Sequence, residues 1–240
     1  MSLYTNNQSG RLYEPYAAAP TIDLELRSFM LRVFNTMAGG LALTGIVAYA
    51  AASSGLYASI AGTPLFWLVM LAPLGLALLL GFRVGQMSPV AAQASFWGYA
   101  GLMGLSLAGI FLVYTGDSIA RVFFISAGTF AATAAWGYTT RTDLSRFGSF
   151  LVMGLIGIVL ASLVNLFIGS SALQFAVSVI GIIVFTGLTA WETQAIKEQY
   201  AEHYDSESKQ KLAGFGALSL YLNFVNLFQL LLYFTGQREE

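Results

Sequence analysis

Hydrophobic residues along this chain fall into seven continuous runs of roughly bilayer length, separated by short polar segments. A helix rises about 1.5 Å per residue, so roughly 20 apolar residues cross a hydrocarbon core of about 30 Å. Backbone polar groups in lipid must be satisfied within the protein, and continuous rather than alternating apolar runs favour helices over barrel strands. The pattern therefore predicts an all-α integral membrane protein with seven transmembrane helices. The predicted spans are about 29–52, 65–82, 90–114, 119–138, 147–168, 172–192 and 212–235.

The polar segments leave no room for a second folded domain. Residues 1–26 carry Pro15 and Pro20 and show little apolar periodicity, so we predict an N-terminal tail there. Residues 27–236 then form one membrane domain. The longest loop, 193–211, mixes charges of both signs, and the sixth helix is expected to extend into it as far as Tyr200.

Basic residues are distributed unevenly over the two sides of the predicted helices. Two of the eleven, Arg121 and Arg238, fall on one side, and the remaining nine fall on the other. Lys and Arg accumulate on the cytoplasmic side of membrane proteins. The distribution predicts a cytoplasmic N-terminus and an external C-terminus. A re-entrant seventh segment, with both termini inside, is the alternative.

Composition excludes several classes of function. A net charge of −1 argues against a nucleic-acid partner, and the bilayer is the expected one. The chain has no cysteine and a single histidine, His203, which rules out thiolate chemistry and histidine clusters. No metalloprotease, phosphate-loop or serine-hydrolase motif is present. We therefore expect a protein that is not an enzyme and has no resident cofactor.

Two groups of intramembrane polar residues are candidate functional sites, because polar groups in lipid are unfavourable and tend to mark function. Glu192 lies at the predicted cytoplasmic edge of the sixth span, and no basic residue shares its helix face. Its charged form therefore needs water, a cation or a base from another helix. The simpler alternative is a hydrated carboxylate at headgroup level.

The second group is a stripe on the seventh span, formed by Gly216, Ser219, Asn223 and Asn226 at spacings of three and four. A helix with one polar face should turn that face toward the bundle, which predicts a central position for the last helix. Alternatively, the asparagines only join helices through hydrogen bonds.

Four ordered motifs resemble the Bax inhibitor-1 (transmembrane BAX inhibitor motif) family, and more closely its bacterial branch. The likeness covers about residues 25–235. The matching positions are the runs 137–145, 186–200 and 220–228, together with Asn165.

The resemblance implies an inner-membrane protein whose last helix is surrounded by the first six and which leaks calcium in a pH-sensitive way. In the family, two neighbouring acidic residues share protons at a cytoplasmic gate. Glu192 matches the first, but Asn223 occupies the position of the second, so the acidic dyad is reduced to Glu192/Asn223. Arg83 is the expected basic partner. The implied pathway and gate comprise Glu192, Asn223, Asn226, Ser219 and Arg83, with Glu192 as the calcium ligand.

Two other functions remain open from the sequence. The resemblance also implies a non-transporting regulator of a membrane-bound ATP-dependent protease, and the absence of the second acid favours it. A small-solute transporter is a third alternative.

Overall fold

The computed structural model describes residues 19–83, 87–200 and 205–239. These residues form helices and connecting turns, with one isolated antiparallel bridge between Tyr114 and Arg238. The helices are α1 (Ala19–Ser53), α2 (Leu56–Ile60), α3 (Pro64–Arg83), α4 (Pro89–Leu107), α5 (Ile110–Val113), α6 (Gly116–Thr139), α7 (Ser145–Ile168), α8 (Ser171–Gln199) and α9 (Ser206–Thr235).

Seven helical segments in the described ranges are long and apolar enough to cross a membrane. They lie in α1, α3, α4 with α5, α6, α7, α8 and α9. The prediction of an all-α integral membrane protein with seven transmembrane helices is confirmed.

The element boundaries differ from the sequence prediction at four places, one of which is the start of α9 at Ser206, inside the predicted 193–211 loop. Helix α1 begins at Ala19, so residues 19–26, assigned above to the tail, are helical. A proline is tolerated in a first helical turn, where its missing N–H would have no partner. The loop after α1 contains the short helix α2. The third span is broken after Leu107, where the Ala108 N–H donates to the Leu105 carbonyl three residues back.

The last helix, α9, is the most buried of the seven. It packs mainly against α8, α1, α6 and α4, whereas α3 packs mainly against α4 and α7 against α8. Of the six transmembrane helices predicted to surround α9, four therefore pack closely against it. Burial also extends beyond the polar stripe, since Leu220, Tyr221 and Leu227 of α9 are fully buried.

Aromatic side chains and one hydroxyl pair fill the space between α9, α1 and α4. The Tyr221 ring makes edge contacts with Phe96 and Tyr99. The Thr44 hydroxyl donates to the Ala100 carbonyl (2.9 Å) and lies 2.7 Å from the Tyr221 hydroxyl oxygen. Both buried hydroxyls thus have partners, as an apolar environment requires.

Candidate functional site

Glu192 of α8 contacts two polar residues of α9. The Ser219 hydroxyl donates to Glu192 Oε2 over 2.7 Å, and the Asn223 side-chain amide donates to the same oxygen over 2.8 Å. Ser219 and Asn223 are four residues apart, so one face of α9 presents both donors. The structure therefore brings together three of the five residues predicted for the pathway.

The second carboxylate oxygen of Glu192 has a different environment. No side chain in the described ranges donates to Oε1, yet no buried side-chain oxygen there lacks a partner. Oε1 is therefore not fully buried. Glu192 thus has one oxygen held by neutral donors and one available to a ligand.

Arg83 and Asn226 lie apart from this cluster. The exposed Arg83 ends α3, and the salt bridges within the described ranges are Lys209–Glu25 and Lys211–Glu207. Asn226 donates to the Leu222 carbonyl of its own helix over 2.8 Å. In this structure Glu192 is therefore held by neutral hydrogen-bond donors rather than by a guanidinium group.

Lys197, one and a half turns after Glu192, also points away from it. Its Nζ donates to the Tyr138 carbonyl over 2.8 Å and lies 5.3 Å from the centre of the Tyr138 ring. The lysine thereby holds the end of α6 against α8.

Close packing at two glycines fixes the part of α8 that carries Glu192. A Cβ on Gly137 of α6 would overlap the backbone carbonyl of Ala190, and one on Gly148 of α7 would overlap the Trp191 indole. Only glycine allows these approaches without a shift of the backbone or of a large ring. Both contacts fall within two residues of Glu192, so α6 and α7 determine its position.

Gln194 is a positioning residue that the sequence analysis did not single out. Its Oε1 accepts from the Leu144 N–H (2.8 Å), and its Nε2 donates to the Thr142 carbonyl (2.9 Å). The side chain therefore ties the turn between α6 and α7 to α8. The signal was present, because Gln194 and this turn belong to two of the four motifs quoted above.

The chemistry of this cluster suits brief cation contact better than tight retention. Hard cations such as Ca²⁺ take six to eight oxygen ligands in stable sites. Within the described residues no group of three or more His, Cys, Asp or Glu side chains could hold a metal ion. Glu192 alone contributes a carboxylate oxygen, with hydroxyl and amide groups beside it.

Seven apolar helices, with a carboxylate hydrogen-bonded between the last two of them, define a polytopic helical membrane protein with a polar site between its last two spans. The family described as "Inhibitor of apoptosis-promoting Bax1" matches residues 26–240. The chain belongs to this family, as the motifs predicted.

Bacterial proteins resemble the chain over nearly its whole length. An uncharacterized protein of Rickettsia prowazekii is 48% identical, covering 92% of this chain and 94% of the relative. Inner membrane protein YbhL of Escherichia coli is 43% identical, covering 89% of this chain and 93% of the relative. Together with the seven apolar helices, this relative supports a multi-pass protein of the bacterial inner membrane.

Proposed function

We propose that this protein is a calcium-leak protein of the Bax inhibitor-1 type, in which Ca²⁺ passes through the crevice between α8 and α9. The observation that carries the proposal is the divided environment of Glu192. Ser219 and Asn223 hold Oε2, and Oε1 remains accessible. A carboxylate oxygen is a ligand that Ca²⁺ prefers.

The neutral partners explain why Glu192 can serve a passing ion. An arginine or lysine bound to the carboxylate would have to be displaced by each cation. A hydroxyl and an amide orient the carboxylate without neutralising it, and both also carry oxygen atoms that can turn toward a cation. Because no other acid joins Glu192 in a cluster within the described part of the chain, a bound ion would also leave readily.

Calcium flux into liposomes tests the proposal. Glu192→Gln keeps the size of the side chain and removes its charge, so we expect the flux to fall toward that of protein-free liposomes. Glu198→Gln is the matched control, since Glu198 lies on the same helix and is exposed. Parent protein that passes no more calcium than empty liposomes would refute the leak function.

Asn223→Asp tests whether this position determines the response to protons. The variant places a second carboxylate beside Glu192, and two such neighbours cannot easily both be charged, so they share protons. We expect calcium flux through the variant to vary with pH differently from flux through the parent. Identical pH profiles would show that Asn223 does not occupy the position of the family's second acid.

A second candidate function is regulation of a membrane-bound ATP-dependent protease without transport. It is favoured by the amide at position 223, because a Glu/Asn pair cannot share protons as two acids do. The test is proteolysis by such a protease in liposomes with and without this protein. Absence of calcium flux combined with a change in proteolysis would favour this function over the leak.

We also propose that lipid and calcium are the partners of the leak. For the orientation in the membrane, we propose a cytoplasmic N-terminus and an external C-terminus. The proposal rests on the nine-to-two distribution of basic residues. A reporter fused after Glu240 should be active only outside the cytoplasm. Cytoplasmic activity would favour the re-entrant alternative.

A further inference from the structure

A cavity of about 150 Å³ with a mixed polar and apolar wall, open at the surface where Arg32, Gln93 and Gln210 are exposed, lies between α1, α4 and α9, apart from the Glu192 site. Its lining consists of Arg32, Thr36, Pro89, Ala92, Gln93, Phe96, Gln210, Ala213 and Gly214. Each of the three helices contributes at least one hydrogen-bonding side chain. In another protein a cavity of about 150 Å³ accommodates benzene, so a group of phosphate size fits here.

The charged groups that line the cavity in the described part of the chain are positive only. Among the nine lining residues that the structure describes, Arg32 alone is ionisable and none is a carboxylate. The nearby lysines of α9 are engaged elsewhere, since Lys209 pairs with Glu25 and Lys211 with Glu207. Within the described ranges, Arg32 forms no salt bridge.

The N-terminus of α4 adds a second positive element. Pro89 and Ala92 belong to the first turn of α4, which contains no acidic residue and whose Ala91 N–H donates to the Ser88 hydroxyl over 3.2 Å. The aligned peptide dipoles place a partial positive charge at such an end. A guanidinium group and a helix N-terminus therefore border the same cavity, and amide and hydroxyl groups complete its wall.

We propose that this cavity binds a phosphate group, with Arg32 as the charged ligand and Gln93, Gln210 and Thr36 as neutral hydrogen-bonding partners. Arginine suits phosphate because its planar, permanently charged fork can donate two parallel hydrogen bonds. The proposal is independent of calcium passage, because the hydrogen bonds of Glu192 in the described ranges go to Ser219 and Asn223 and to none of these residues.

The position of the cavity allows two sources of phosphate. It lies within the first turn of α4 and about one turn into α9, at the ends of two predicted spans. This depth corresponds to the membrane–water interface, where both a soluble phosphate and a phospholipid headgroup are within reach. The experiment therefore needs one arm for each source.

The first arm measures thermal unfolding of the purified protein in phosphate and in chloride at equal ionic strength. The second counts phosphatidylglycerol molecules retained, by native mass spectrometry, after transfer from vesicles of phosphatidylglycerol and phosphatidylcholine. Arg32→Gln is the test variant. Arg146→Gln is the matched control, because Arg146 is an exposed arginine of α7 outside the cavity.

We expect Arg32→Gln to weaken binding roughly tenfold, as loss of a charge-assisted hydrogen bond does, and Arg146→Gln to leave binding unchanged. If Arg32→Gln weakens binding only in the thermal-unfolding arm, the ligand is a soluble phosphate. If it weakens binding only in the lipid-retention arm, the ligand is a lipid headgroup. Equal behaviour of the two variants in both arms overturns the proposal.

A second variant tests the cavity without altering its charge. Gly214 lines the cavity, and a Cβ built on it meets no atom within 4 Å, so Gly214→Leu should fill the space while the fold is retained. It should abolish the same binding that Arg32→Gln weakens. Unchanged phosphate and lipid binding in this variant would also overturn the proposal.

Discussion

Two glutamates lie near the C-terminal end of α8 in contrasting environments. The Glu192 carboxylate is partly buried between α8 and α9 and accepts from a serine and an asparagine. The Glu25 side chain is 55% exposed, lies 3.4 Å from Lys209 Nζ and accepts from the Tyr200 hydroxyl over 2.9 Å. One carboxylate therefore has neutral partners in the membrane domain, whereas the other has a cation at the surface.

This difference indicates that the Glu25 contact is structural and that the Glu192 contact is a candidate functional one. An exposed ion pair contributes little, because water already solvates both charges and salt screens them. A charged carboxylate between helices is unfavourable unless a positive charge compensates it. Within the described ranges no basic side chain pairs with Glu192, so a mobile cation can balance its charge.

The largest expected effect comes from the packing that holds Glu192 in place. Gly137→Ala would force a methyl group into the Ala190 carbonyl, so we expect a loss of about 1–3 kcal/mol in the free energy of unfolding. Gly128→Ala is the control on the same helix, since a Cβ there meets open space. Thermal unfolding in detergent compares them. Equal midpoints would mean that α6 and α8 are not in close contact.

Ser219→Ala should have an intermediate effect. It removes one of the two donors to Glu192 Oε2, and a hydrogen bond to a charged group contributes about 1.5–3 kcal/mol. Water entering the crevice would replace part of this loss, so the lower end is expected. Ser208→Ala retains the backbone contact to Asp205 and is the exposed control. A stability equal to that of the parent would argue against a hydrogen bond at Ser219.

Glu25→Gln should change the thermal unfolding temperature little, because its partners are accessible to solvent and the glutamine can still accept from Tyr200. The same variant should leave calcium flux unchanged, in contrast to Glu192→Gln. A flux loss as large as that of Glu192→Gln would remove the distinction between the two carboxylates.

The smallest effect is expected at Asp143, which lies outside the membrane-spanning segments. Hydrogen bonds from the Ser145 backbone N–H and hydroxyl hold the pKa of the Asp143 carboxyl below its ordinary value. A lowered folded-state pKa stabilises the protein above the unfolded-state pKa, and this contribution disappears as the pH falls through the folded-state pKa. Asp143→Ala should therefore lower the unfolding temperature slightly at neutral pH and not in strong acid. A difference that grows in acid would contradict this sign.

The polar stripe on α9 illustrates both the reach and the limit of sequence analysis. Its spacing correctly predicted that Ser219 and Asn223 share one helix face, because helical geometry is local. The same spacing included Asn226, whose amide instead donates to its own helix. The spacing of residues along one helix does not predict which of them reach the neighbouring helix.

Arg83 shows a related limit. A basic partner for Glu192 was expected from the resemblance, and two neutral donors of α9 occupy Oε2 instead. Gln194 was overlooked although its motif was recognised, since its partners at positions 142 and 144 lie some fifty residues away. Contacts of this range depend on how the helices pack.

By itself, the sequence determined the number of spans, the helical class and the family, because apolar length and helix periodicity are properties of short segments. Only the tertiary structure decided which polar groups meet. It placed α9 against α8, oriented Glu192 through the contacts of Gly137 and Gly148, and opened the Arg32 cavity between three helices. These features arise from interhelical packing, in which a side chain's partner is selected by position in space rather than by distance along the chain.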